Sequence, residues 1–101
     1  MLRITLEEED HCTRFRLEGK LAGDWVRELE RCWIRTKNAN PDKRFKIDLR
    51  AVSFVDRSGQ ALLEHLALEH AELWAAGNPL MTSIVNTIRA KEGATTRPLS
   101  A

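Results

Sequence analysis

The sequence predicts a single α/β domain: a mixed sheet of about four strands with about three helices on one side, in the order β-β-α-β-α-β-α. Three observations carry this reading. Two segments that alternate apolar and polar residues stand near the N-terminus, Leu2 to Leu6 and Cys12 to Leu17. A third β-rich segment, Phe45 to Val55, lies between two stretches with helical apolar spacing. The chain has 101 residues, 43% hydrophobic and 31% charged, which suits one globular domain and leaves no room for a second. At this size folding buries about 60–70% of the surface of the unfolded chain, so no crosslink is needed.

In chain order, the acidic run Glu7-Glu8-Glu9-Asp10 separates the first two strands and reads as a charged turn, and Gly19 ends the second strand. Such a pair is expected to be antiparallel, with Phe15 and Leu17 on the inner face. A helix then runs from Asp24 to about Thr36. Trp25, Leu29 and Cys32 form its apolar stripe, flanked by Val26 and Trp33. Arg27, Arg31 and Arg35 lie opposite, with Glu28 and Glu30 among them, and read as a solvated face. Lys37 to Asp42 is loop chemistry. Phe45 to Val55 is the central strand, irregular from Ala51 onward.

Leu62, Leu63, Leu66, Ala67, Leu73 and Trp74 follow the i, i+3, i+4 rule over about four turns and predict a second long helix, closed by Gly77. Asn78-Pro79 is a turn, Leu80-Met81 a short last strand, and Thr82 or Ser83 the cap of a final helix carrying Ile84, Val85 and Ile88. Residues 1–92 are expected to form the domain and 93–101 a flexible tail. A helix between strands of one sheet requires a right-handed crossover, so the later strands are expected to be parallel.

Charge and composition exclude little but indicate less. The 16 basic and 15 acidic side chains leave a net +1, without the footprint of a nucleic-acid binder or a polybasic membrane-surface protein. The N-terminus has no signal-peptide core and no long apolar run, so neither membrane insertion nor export is expected and the protein is placed in the cytoplasm. Cys12 and Cys32 are 20 residues apart without CxxC spacing and read as reduced thiols. No phosphate-cradling, nucleophile-elbow or metal-helix motif occurs, and no cofactor or metal is indicated.

His65 and His70 lie about 140° apart on a helix and cannot share a metal. His65 is placed to pair with Glu69, and His70 falls on the apolar stripe as a partly buried, hydrogen-bonded histidine. Glu64, Glu69 and Glu72, with no Lys or Arg between Ser58 and Gly77, read as a solvated face or an acidic docking surface.

The informative segment is Phe54-Val55-Asp56-Arg57-Ser58-Gly59. A strand ends, an acidic side chain is placed to accept the first amides of a helix, and a hydroxyl sits in the first turn, where the helix dipole favours negative charge. A phosphoryl group on Ser58 would be tolerated there while adding nearly two charges to the surface. Alternatively, Asp56 and Ser58 are only caps and Gly59 only permits close packing.

Leu17-Glu18-Gly19-Lys20-Leu21, Ile47-Asp48-Leu49, Val52 to Gly59 with Leu62-Leu63, and Ala76-Gly77 together resemble a STAS domain, the module of sulphate transporters and anti-sigma factor antagonists, over residues 2–90. The resemblance implies a SpoIIAA-like fold and a non-catalytic, protein-binding regulator of bacterial transcription. In antagonist members the serine before the glycine is phosphorylated by an anti-sigma factor serine kinase, whose unphosphorylated target binds that kinase. Ser58 matches that serine and Asp56 the acidic residue before it, so Asp56, Arg57, Ser58, Gly59 and Gln60 are the expected partner-binding residues. Arg57 stands in place of the usual small hydroxyl residue, and the acidic residue usual just after Gly19 is missing. The alternative within the family is a constitutive adaptor without a phosphoswitch, for example an accessory subunit of a lipid-transporting ABC complex.

Overall fold

The computed structural model describes residues 1–96, with side chains through Lys91. Its elements are β1 (Leu2–Glu8), β2 (Cys12–Leu21), α1 (Asp24–Ala39), β3 (Arg44–Val55), α2 (Arg57–Leu68), β4 (Glu72–Trp74) and α3 (Pro79–Thr96). The order is the expected one. The sheet runs β1-β2-β3-β4, with β1 antiparallel to β2 and both β2/β3 and β3/β4 parallel. The tail expected over 93–101 begins inside α3, and 97–101 lie outside the described residues.

Alternation along the strands sorts the sheet into two faces. Leu2, Phe15, Leu17, Phe45, Ile47, Leu49 and Leu73 turn inward and are buried. They share one core with Leu29 and Trp33 of α1, Leu62, Leu63 and Leu66 of α2, and Met81, Val85 and Ile88 of α3. All three helices therefore cover the same face. At its centre Phe15, Trp33 and Phe45 meet with ring centroids 5.0–6.3 Å apart, in the tilted and edge-on arrangements that aromatic quadrupoles prefer.

The other face is polar and held by charge. The register sets Glu7 beside Arg14, Arg14 beside Lys46, and Asp48 between Arg16 and Trp74. Asp48 is 1% exposed. Arg50 grips it with Nε at 3.0 Å and a second guanidinium nitrogen at 2.9 Å, and adds its backbone amide at 3.1 Å. The same guanidinium stacks 3.9 Å from the centre of the Trp74 ring, with Lys46 and Arg14 at 5.0 and 5.7 Å. Burial works to raise the Asp48 pKa, but the hydrogen bonds and charge of Arg50, helped by Arg14, hold it below the usual carboxylate value.

The irregular end of β3 is a double register shift. Between the Arg16–Asp48 and Glu18–Ala51 pairs, and again between Gly19–Val52 and Lys20–Phe54, β3 takes one more residue than β2. Carbonyls freed by these bulges find a partner in Asn78, whose Nδ2 donates to Leu49, Arg50 and Val52 at 3.3, 3.1 and 2.9 Å.

Several expected features are corrected. The stripe of α1 is Leu29, Trp33 and Thr36, while Trp25 is exposed, and the helix continues through Lys37 and Asn38 to Ala39. The second long helix stops at Leu68, eight residues before Ala76. His70 adopts φ +72°, its amide donates to Ala67 O, and the Ala71 amide donates to Leu66 O at 3.0 Å. This is a Schellman cap built on histidine where the sequence pattern pointed to Gly77.

His70 is thus an exposed turn residue and not a member of the apolar stripe. Leu73 and Trp74 belong to β4, because Ala71, Leu73 and Ala75 bury a two-residue alternation that the helical pattern also fits. Leu80 and Met81 lie in α3. Asn78, and neither Thr82 nor Ser83, caps that helix, its Oδ1 accepting the Met81 amide at 3.2 Å. The acidic helix face dissolves likewise: Glu72 is in β4, Glu69 pairs with Lys37 of α1 in place of His65, and Glu64 pairs with Lys91.

Candidate functional site

The expected site residues come together where β3 runs into α2. Val55 closes the strand, and Asp56, with φ −85° and ψ −177°, is the N-cap of α2. Its backbone amide donates to Leu21 O at 3.2 Å, and its own carbonyl accepts the Gln60 amide at 2.9 Å. The carboxylate is fully employed. Oδ1 accepts the Gly59 amide at 2.7 Å and the Ser58 hydroxyl at 2.9 Å, while Oδ2 accepts the Gly23 amide at 3.0 Å.

One residue therefore joins three segments, its backbone amide holding the end of β2 and its carboxylate the starts of α1 and α2. Hydrogen bonds from the Gly23 and Gly59 amides, and then from the Ser58 hydroxyl, outweigh the opposing effect of burial and hold the Asp56 carboxyl below its usual pKa. It is an anion at every physiological pH.

Ser58 is exposed in the first turn of α2, beside exposed Arg57. Among the described residues Arg57 has no ion-pair partner. Gln60 is half-buried. Gly59 is buried, and a Cβ there would lie 2.5 Å from Leu21 O and 3.0 Å from Val55 Cγ1. The glycine thus allows α2 to begin directly on the β2 backbone. All five expected residues occupy one corner, four of them with accessible side chains or backbone.

Sequence reasoning missed Gly23. Gly23 is the N-cap of α1, with φ +60° and ψ −136°, a combination open to glycine and strained for other residues. It makes no side-chain cap of its own, and its amide is the third donor to Asp56. The signal was the Gly23-Asp24 step at the foot of a helix, without any local sign of its distant acceptor. Phe54 and Trp25, 48% and 37% exposed, lie next in sequence to the two tied segments.

Among the described residues no group of His, Cys, Asp and Glu is arranged to hold a metal, and no helix is long and apolar enough to cross a membrane. Cys12 and Cys32 are unpaired and half-buried.

Comparison with solved structures bears on the fold. The chain resembles the anti-sigma factor antagonist SpoIIAA in its unphosphorylated form at a TM-score of 0.60, with 21% identity over 80% of each chain. It also resembles an uncharacterised DUF3478-family protein with a SpoIIAA-like fold from Shewanella loihica, at a TM-score of 0.56 and 15% identity, covering 78% of this chain and 70% of that one. No family model matches the sequence, and no curated protein matches it. The fold is SpoIIAA-like, and the resemblance to STAS domains read from the sequence extends to the architecture.

Proposed function

We propose, taking the SpoIIAA-like fold as premise, that this protein is a non-catalytic regulatory module that binds another protein through the Asp56–Gln60 corner and is switched by phosphorylation of Ser58. The observation that carries this reading is an exposed serine hydroxyl at the second residue of a helix, 2.9 Å from the capping carboxylate of Asp56, on that fold.

The helix start tolerates a phosphate through its amides and dipole, and Arg57 supplies a neighbouring cation. On this reading a serine kinase of the anti-sigma factor type is both the partner and the phosphoryl donor, acting in the cytoplasm. The Ser58 Oγ–P bond forms as the terminal phosphoanhydride bond of its nucleoside triphosphate breaks. The hydroxyl proton leaves to a base of the kinase, since Asp56, with its lowered pKa, is a poor one. Two added charges then oppose binding at a surface that accepted the neutral hydroxyl.

The Ser58–Asp56 hydrogen bond also favours a second reading, a constitutive adaptor in which Ser58 is a helix cap and the partner is a transporter subunit. The test is affinity for whatever co-purifies from native cells, with phosphosite mass analysis of the same sample. Phosphate on Ser58, with Ser58→Asp weakening and Ser58→Ala preserving binding, supports the switch. Unmodified Ser58, with equal affinity for both variants, sinks it and leaves the adaptor.

A further inference from the structure

We propose that Asp56 is a relay that carries the charge state of Ser58 to the β2–α1 turn, so that phosphorylation releases the first turn of α1 as well as changing the corner at α2. The inference rests on Ser58 being the modified residue. Three observations support it. The Asp56 carboxylate is shared, its Oδ1 held by Ser58 and Gly59 and its Oδ2 by Gly23. Helix α1 has no side-chain cap, so its N-cap residue is tied to the body of the domain by that Oδ2.

Packing grips the turn only at its two ends, through buried Leu21 and half-buried Val26. Gly23, Asp24 and Trp25 are all exposed, nothing lies within 4 Å of where a Gly23 Cβ would be, and the other bonds in the turn, Trp25 N to Ala22 O and Val26 N to Gly23 O, are local.

A phosphoryl ester on Ser58 has no proton to give Asp56. Its oxygens compete for the Gly59 amide and the other free donors of the helix start, with more charge than a carboxylate. Two anions at hydrogen-bonding distance repel, and a carboxylate that has lost its Ser58 and Gly59 donors on Oδ1 keeps only the Gly23 amide to hold it against that repulsion. The Gly23 amide then loses its acceptor, and a backbone conformation that only glycine accepts loses what fixes it. The modified surface thereby spans two segments more than 30 residues apart in sequence, with exposed Trp25 in the released turn.

The test is residue-resolved amide exchange on the full chain carrying phosphoserine at position 58, installed during translation so that no kinase is required. Unmodified protein, Asp56→Ala and Asp56→Asn are run beside it. Exchange at Gly23 is expected to quicken on the order of tenfold with phosphoserine, the loss of one hydrogen bond, and similarly in Asp56→Ala. Asp56→Asn, which keeps an acceptor oxygen, is expected to fall between, and serves if the alanine variant fails to fold. Exchange at Gly23 that phosphoserine leaves unchanged overturns the relay, as does an unchanged rate in both Asp56 variants. Quickened exchange in a protein that is never phosphorylated in cells upholds the relay and removes the switch reading instead.

Discussion

Substituting Gly59 by alanine isolates the close approach on which the corner depends. In an open helix that change is favourable by about 1 kcal/mol, because alanine loses less backbone freedom. Here the added methyl would lie 2.5 Å from Leu21 O, where ordinary contact begins near 3.4 Å, and 3.0–3.1 Å from Val55 Cγ1 and Leu21 Cγ. The nearest atom is backbone and cannot turn aside. Leu21 is fully buried, and its carbonyl accepts the Asp56 amide at 3.2 Å.

Relief therefore requires α2 to retreat by about 0.9 Å, which loosens the cap as it does so. Overpacking of this kind costs about 1–3 kcal/mol, and a backbone clash belongs at the upper end. The net expectation is a loss of about 1–2 kcal/mol, or a fall in Tm of about 5–15 °C for a domain of this size. Thermal unfolding followed by circular dichroism reads it, with Gln60→Ala, on the same turn, staying within about 0.5 kcal/mol as control. A Gly59→Ala protein as stable as the parent, or more stable, would refute the account of this glycine.

The aromatic centre and the outer face supply two further expectations. Trp33→Ala should cost about 3–5 kcal/mol in urea unfolding, since it empties the contact with Phe15 and Phe45; a loss below about 1 kcal/mol would mean the cluster is not the centre of the core. Arg50→Ala should expose the linkage at Asp48. Because the folded pKa of Asp48 is lowered, its contribution is present above the unfolded value of about 3.9 and is lost as pH falls through the folded one. Without Arg50, burial dominates and raises that pKa, so the variant should be destabilised at pH 7 and approach the parent below about pH 4. A stability difference that stays constant with pH contradicts the pairing.

How much of this was legible depended on whether the governing interaction was local. Strand alternation at Phe15, Leu17 and Ile47 and the cap at Asp56 are local, and they stand as read. The α2–β4 boundary was not, because residues 71–75 fit a helical and a strand pattern equally, and the signal that decides between them is a left-handed histidine, which sequence statistics assign to glycine. The roles of Asn78 and Gly23 depend on partners 26–29 and 33 residues away. Their residue types announce a turn and a helix start but not the strand bulge or the carboxylate they serve. The residues of the candidate corner were therefore visible before the structure, and its wiring was not.

The division of β3 into an apolar and a charged side also bears on how the chain finds its fold. A central strand paired on both sides must choose its alignment among many similar ones, and an offset of one residue exchanges its two sides. Such an offset would send Lys46, Asp48 and Arg50 among the helices and set Phe45, Ile47 and Leu49 in water, an outcome far costlier than the loss of any one contact. The ionic row beneath Trp74 thus excludes misaligned sheets during assembly, whatever it contributes to the finished one.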